Sequence, residues 1–159
     1  MYLSGNRIKI MPKVAEIIIF DTEEAYLQEF RERYVKGSFV LKSVPVSFVV
    51  EDFQHVFFEP SSGGVKDAVF SKRRAKKMRF IEVMLAESVA TEVMFEQETG
   101  NLAVFCDDLD CVMCLRIRKG SGKLQLATFF DFGKDHTKMC AKQKKKCVPI
   151  TDAQIKEIL

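Results

Sequence analysis

From Glu92 onward the chain follows a period of two. Glu92 to Gln97 alternates acidic side chains with Val93 and Phe95, and Leu102 to Cys106 is a second apolar run. Cys111 to Arg118 puts Val112, Cys114, Arg116 and Arg118 on one face and Met113, Leu115 and Ile117 on the other; Leu124 to Phe132 is a fourth run. The segments are separated by short turn signals: Glu98-Thr99-Gly100-Asn101, Asp107-Asp108 and Lys119-Gly120-Ser121-Gly122. Connections this short cannot reach a parallel neighbour, so the four segments predict an antiparallel meander. Such a sheet must bury its apolar face under another layer, which sets the fold class as α+β.

The covering layer is predicted just upstream. A helix from about Asp67 or Ser71 to Glu87 lines up Met78, Ile81 and Leu85 as one apolar stripe, with Ala75 at its edge. Lys72, Arg73, Lys76 and Arg79 cluster on the other side. Arg74 does not join them, because it projects onto the middle of the stripe one turn above Met78. An inward arginine is costly unless it meets a carboxylate, a carbonyl or a ligand phosphate.

Earlier in the chain, Arg7 to Met11 reads as a weak strand and Val14 to Phe20 as a buried one. A helix from Glu23 to Val35 follows, capped by Asp21 or Thr22, with Tyr26, Leu27, Phe30 and Tyr34 on one face and Gly37 beyond its end. Ser38 to Glu59 is β-rich, with Pro45 forcing an edge or a bend, and 59–64 is a loop by composition. Residues 133–147 are polar and lysine-rich and predict no packed element. Thr151 and Gln154 form a capping box for a short helix from Asp152 to Ile158, with Ile150 positioned to staple against Ile155.

At 159 residues this is one domain: an N-terminal strand–helix extension (1–43), a core (44–132) and a lysine-rich tail with a short helix (133–159). The composition, 47% hydrophobic and 30% charged, excludes a disordered chain. No apolar run approaches the roughly 18 residues of a membrane span, so no membrane partner is expected. The first twenty residues carry Arg7, Lys9, Lys13 and Glu16 and do not read as a secretion signal. The five cysteines are an odd number, read as reduced, buried or inert thiols in a cytoplasmic protein.

The net charge of +3 conceals a strong pattern. Residues 66–79 carry net +6, residues 80–115 net −8 with no Lys or Arg, and residues 116–146 net +8. If the two basic blocks meet in space, they make a surface for a polyanion, most plausibly nucleic acid.

Few residues offer chemistry. Cys111 and Cys114 have the CxxC spacing, and Cys106, Cys140 and Cys147 could complete a zinc set, but a strand sends positions i and i+3 to opposite faces. Asp107, Asp108 and Asp110 fit a hairpin tip better than a hard-metal site, so no metal and no cofactor is expected. Of the two histidines, His55 sits among large apolar residues late in a β segment, and His136 in the lysine-rich loop, where solvation is the default. The chain contains no nucleotide-binding glycine motif, no H-E-x-x-H and no G-x-S-x-G.

Phe70, Arg74, Ala75, Met78, Phe80 and Ile81 fall in a pattern that resembles the helix motif of small phage and prophage nucleases of the barnase–EndoU–colicin–RelE-like (BECR) fold. That fold also runs from a helix into a four-stranded antiparallel sheet. The run Leu126-Ala127-Thr128-Phe129-Phe130 is similar to its closing strand, and His55 matches a histidine in a strand upstream of the helix. The likeness spans about residues 45–132. It implies a metal-independent ribonuclease, phage-encoded or toxin-type, that needs no cofactor and cuts RNA (tRNA or mRNA) by transesterification from the 2′-hydroxyl. It leaves room for an immunity or antitoxin protein as a partner. In that reading His55 is base or acid, Arg74 holds the scissile phosphate, and Thr128 donates a hydroxyl to it. Lys72, Arg73, Lys76, Arg116 and Arg118 bind the flanking backbone, and Lys144, Lys145 and Lys146 add non-specific attraction. Two other readings stand beside it: a non-catalytic nucleic-acid-binding module, and a phage structural or interaction protein whose acidic block docks a basic partner.

Overall fold

The computed structural model describes residues 16–159. The segment Arg7 to Met11 and the start of Val14 to Phe20 lie outside the described residues. The remainder of the latter is not a strand: Ile18 is buried and its N–H bonds the Lys76 carbonyl, whereas Ile17 and Ile19 are exposed.

Helix α1 (Glu23–Phe30) starts at Thr22, whose side chain accepts from the Ala25 N–H at 3.1 Å. It continues into a π-helical turn (Arg31–Val35) that sets Tyr34 back over Phe30, with ring centroids 5.6 Å apart. Tyr26, Phe30 and Tyr34 are fully buried. Gly37 follows because a Cβ there would stand 2.4 Å from the Arg33 carbonyl oxygen and 2.8 Å from the Phe39 ring. Strands β1 (Phe39–Leu41) and β2 (Val44–Ser47) make a hairpin. Both its turn residues, Lys42 and Ser43, have positive φ, as a two-residue primed turn requires.

The next segment departs from the β-rich expectation. Asp52–Phe57 is a helix, α2, because Phe53, Val56 and Phe57 reach the core at spacings of three and four. His55 is therefore on a helix, not on the strand that the nuclease likeness implies. Strands β3 (Phe58–Glu59) and β4 (Val69–Phe70) pair antiparallel and close the 60–68 loop.

The predicted long basic helix is broken in two. Helix α3 (Lys72–Ala75) is capped by Ser71, and helix α4 (Phe80–Leu85) follows after one irregular turn. Across that turn the N–H groups bond three residues back, Met78 to Ala75 and Phe80 to Lys77. Outside donors take two of its carbonyls: Ile18 N–H bonds Lys76, and the Tyr34 hydroxyl bonds Met78 at 2.8 Å. Met78, Ile81 and Leu85 are nevertheless all buried.

Strands β5 (Glu92–Glu96), β6 (Asn101–Cys106), β7 (Cys111–Arg118) and β8 (Lys123–Asp131) are antiparallel in succession. The fold is α+β, but the sheet is seven-stranded and mixed rather than four-stranded, in the order β1-β2-β8-β7-β6-β5-β9. Strand β2 adds to β8 in parallel (Val46 opposite Leu124), and β9 (Cys147–Pro149) adds to β5 antiparallel. Segments read as extension and tail thus supply edge strands.

The 133–147 stretch is also ordered, as a short 3₁₀ turn (Gly133–Asp135) and helix α5 (His136–Lys144). Its periodicity hides it, because the residues it buries are His136 and Cys140. Helix α6 (Asp152–Ile158) has the Thr151–Gln154 capping box, and Ile155 is buried with Ile150 packed on the same core.

The sheet has two unlike faces. One carries the main core, where Cys111, Met113 and Leu115 of β7 meet α1, α2, α4 and α6. The far face carries a small cluster of Ala103, Phe105, Val112, Cys114 and Cys140 beneath α5. Cys111 and Cys114 therefore point to opposite faces, and burial pushes both thiols up, Cys114 to about 12.

Candidate active site

Beside β8, strand β2 ends its pairing at Ser47 opposite Gln125, and α2 packs against the rest of β8. A cavity of about 430 Å³ opens there. His55, Lys66, Asp67, Arg74, Arg116 and Thr128 supply its polar lining, with Phe58, Pro60, Ala127 and Phe130 as apolar wall.

His55 is placed by α2. Its Nδ1 lies 2.9 Å from Asp67 Oδ2, and Gln54 Nε2 donates to the Asp67 carbonyl at 3.1 Å. Asp67 sits at φ 51°, a left-handed conformation that these two contacts hold in place. A carboxylate only accepts, so the neutral ring donates from Nδ1 and leaves Nε2 unprotonated. Among the described residues Nε2 makes no hydrogen bond, and the His55 side chain is 57% exposed.

Arg74 is half-buried. Its Nη1 donates to the carbonyls of Val56 and Phe58, each at 3.3 Å, at the C-terminal end of α2. Burial lowers its pKa, against the opposing pull of Glu59. Nε is shut off from solvent and has no partner. An unbonded buried donor costs about 1–3 kcal/mol. Being shut off, Nε is also closed to a ligand in this conformation, and among the described residues Nη2 is the guanidinium nitrogen with no protein hydrogen bond that is left to meet a phosphate.

A β-bulge places Thr128. Cys114 pairs with Thr128 but Leu115 pairs with Leu126, so Ala127 is the extra residue. In regular alternation Thr128 would share the core face with Leu126. The bulge gives that place to Phe129 and turns Thr128 to the far face beside Phe130.

Arg116 comes from the far face of β7, opposite Gln125. Gln125 accepts from Arg118 Nη1 at 2.6 Å and donates to Asp52 Oδ1 at 3.2 Å, tying β7 and β8 to the first turn of α2. Burial raises the Asp52 pKa, opposed by its bonds from the Val49 N–H and Gln125.

Of the residues the sequence singles out, His55, Arg74, Arg116 and Thr128 share this cavity with Lys66, and the other basic residues singled out do not line it. Arg73 bonds Asp131 and lies 3.9 Å from Glu59, while Lys77 bonds Asp131 at 2.6 Å. Lys72 is exposed on α3, and the carbonyl of half-buried Lys76 is taken by Ile18. Lys144 pairs with Glu92 at 2.8 Å over the Phe105 ring, and Lys145 and Lys146 are exposed beside it. These three lysines lie at the β5–β9 edge, four strands from β8 or roughly 19 Å. The basic blocks therefore meet only in part, through Lys66 and Arg74 on one side and Arg116 on the other. Asp67 and Lys66 escape a reading of the sequence, because a loop aspartate twelve residues beyond a histidine carries no spacing signal.

His136 is not solvated. It is buried, with Nε2 2.9 Å from Asp107 Oδ1 and 3.3 Å from Cys140 Sγ. Among the described residues no helix is long and apolar enough to cross a membrane. No family model, no curated protein and no solved structure matches the chain.

Proposed function

We propose that the protein is a metal-independent ribonuclease that cuts RNA by attack of the ribose 2′-hydroxyl on the adjacent phosphate, in the manner of the BECR-fold nucleases it resembles. One observation carries the reading. A histidine whose Nδ1 is held by a carboxylate, a guanidinium with Nη2 unbonded, a second arginine and a hydroxyl all line one cavity. Three cationic side chains against one carboxylate suit it to a phosphodiester.

His55 Nε2 takes the 2′-proton. The 2′-oxygen bonds to phosphorus, the P–O5′ bond breaks, and the 5′-oxygen takes a proton from water at the open mouth of the cavity. The products are a 2′,3′-cyclic phosphate and a 5′-hydroxyl. Arg74 and Arg116 oppose the charge that grows on the phosphoryl oxygens, and Thr128 donates to one of them.

The test is incubation of the purified protein with total RNA, with and without EDTA, between pH 5 and 8, beside Arg74→Ala. The expected result is cleavage in both buffers, reduced about 10²–10³-fold in the variant with circular dichroism unchanged. Retention of RNA without product would leave a binding module. Cleavage that requires an added divalent cation, or full activity in Arg74→Ala, would overturn the mechanism.

A further inference from the structure

Helix α5 is an unusual element to find docked. Of its nine residues, HTKMCAKQK, only His136 and Cys140 are buried, and three are lysines. A helix normally docks through an apolar stripe, and this one has none. The two side chains it buries lie four positions apart on one face, and both are metal-ligand types. Asp107, in the β6–β7 turn, meets them from the sheet, and the three ligand atoms lie within 4.8 Å of one another.

We infer that Asp107, His136 and Cys140 form a site for one divalent transition-metal ion of the zinc class, which staples α5 to the far face of the sheet. The donor set of one imidazole, one thiolate and one carboxylate suits zinc or cobalt and not the oxygen-seeking magnesium or calcium. Tetrahedral zinc separates a nitrogen from an oxygen ligand by about 3.3 Å and a nitrogen from a sulfur ligand by about 3.6 Å. The protein holds His136 Nε2 at 2.9 Å from Asp107 Oδ1 and 3.3 Å from Cys140 Sγ, a few tenths short of both. Sγ also lies 3.5 Å from Nδ1, so it stands beside the ring and not along the Nε2 lone pair, and metal binding turns the His136 ring to bring Nε2 and Sγ onto one ion. Binding releases the Cys140 thiol proton to solvent and replaces the Asp107–His136 hydrogen bond with two metal bonds. Water fills the fourth position, on the side where a cavity of about 280 Å³ borders Asp107 and Asp108.

The staple reaches the candidate active site without joining its chemistry. The His136 ring lies 6.3 Å from that of Phe132, which stacks at 5.5 Å on Phe130 in the cavity wall. The inference does not depend on the nuclease reading, and its test uses no RNA.

The full-length protein, stripped with a chelator and desalted, is titrated with Co²⁺. The expected result is one equivalent bound, with tetrahedral d–d absorption and a sulfur-to-cobalt charge-transfer band, both bleached by equimolar Zn²⁺. Cys140→Ser loses the charge-transfer band, and Cys147→Ser, on the neighbouring half-buried thiol, keeps it. Zn²⁺ raises the melting temperature of the wild type and not of Cys140→Ser. Should Cys140→Ser fail to fold, Asp107→Asn, at an exposed residue, decides: its Co²⁺ affinity falls at least about tenfold. Absence of the charge-transfer band in the wild type, its survival in Cys140→Ser, or unchanged affinity in Asp107→Asn overturns the site.

Discussion

The molecule contains two histidine–aspartate pairs with the same 2.9 Å contact and opposite burial. In His55–Asp67 the ring is 57% exposed and the carboxylate side chain 18%; in His136–Asp107 the ring is 5% exposed and the carboxylate 80%. The ring nitrogen used also differs, Nδ1 in the first and Nε2 in the second. A covered carboxylate that fixes an exposed ring leaves the other nitrogen to trade protons with a ligand. A covered ring beneath an exposed carboxylate has no such access, and its neighbour is a thiol, not a cation. The chemistry of such a pair is set by which partner faces water and by what stands third.

The comparison breaks most visibly at the rings themselves. His55→Ala is expected to lower RNA cleavage by about 10²–10⁴-fold and to leave the melting temperature in place, since the side chain is mostly exposed. His136→Ala is expected to destabilise the fold by about 1–3 kcal/mol, because it removes a buried, bonded group. Cleavage and thermal melts measured on both variants settle it, and the opposite assignment of losses would refute the contrast.

Asp67→Asn is the next largest effect. An amide can present its NH₂ to Nδ1 and so leave the proton on Nε2. Cleavage is expected to fall on the order of 10- to 10²-fold, because the ring loses the partner that fixes its tautomer. Unchanged rates would remove Asp67 from the site.

Much of this was legible in the sequence, for physical reasons specific to each element. The β5–β8 meander shows because each strand half-buries itself at period two, with Cys111, Met113 and Leu115 inward and Arg116 outward. The β1–β2 hairpin hides because Lys42-Ser43 holds a turn that usually advertises itself with Asn-Gly. Helix α2 hides because Phe53, Val56 and Phe57 favour strands by type although their spacing is helical. Helix α5 hides because a stripe of histidine and cysteine is not apolar. In the cavity, Arg74 stands out as a cation at an inward position, and the location of Thr128 depends on a bulge that alternation alone does not reveal. Arg73 and Lys144 look as available as Arg116 until their acidic neighbours are placed beside them.

A smaller effect sharpens how Arg74 is positioned. Asp131 is buried and receives Arg73, Lys77 and the Gly133 N–H, which fastens α3 to the end of β8. Asp131→Ala strands Lys77 and should cost about 1–3 kcal/mol, reduced by the exposure of Arg73. As Arg74 is on the same short helix, cleavage should fall with unchanged substrate affinity. A urea titration paired with kcat and KM separates the two, and loss confined to KM would argue that Asp131 acts through backbone binding instead.

The smallest expected effect concerns Asp52, at the foot of the helix that carries His55. Burial holds this carboxyl above its ordinary range, so folding favours its protonated form. Its contribution to stability is fully present below the unfolded-state pKa and is lost as pH rises through the raised folded value. The wild type should therefore lose stability relative to Asp52→Asn between mildly acidic and neutral pH, read as a narrowing or reversal of the gap between their urea midpoints. A gap that widens toward neutral pH would mean that the bonds from Val49 and Gln125, with the attraction of Arg116, outweigh burial.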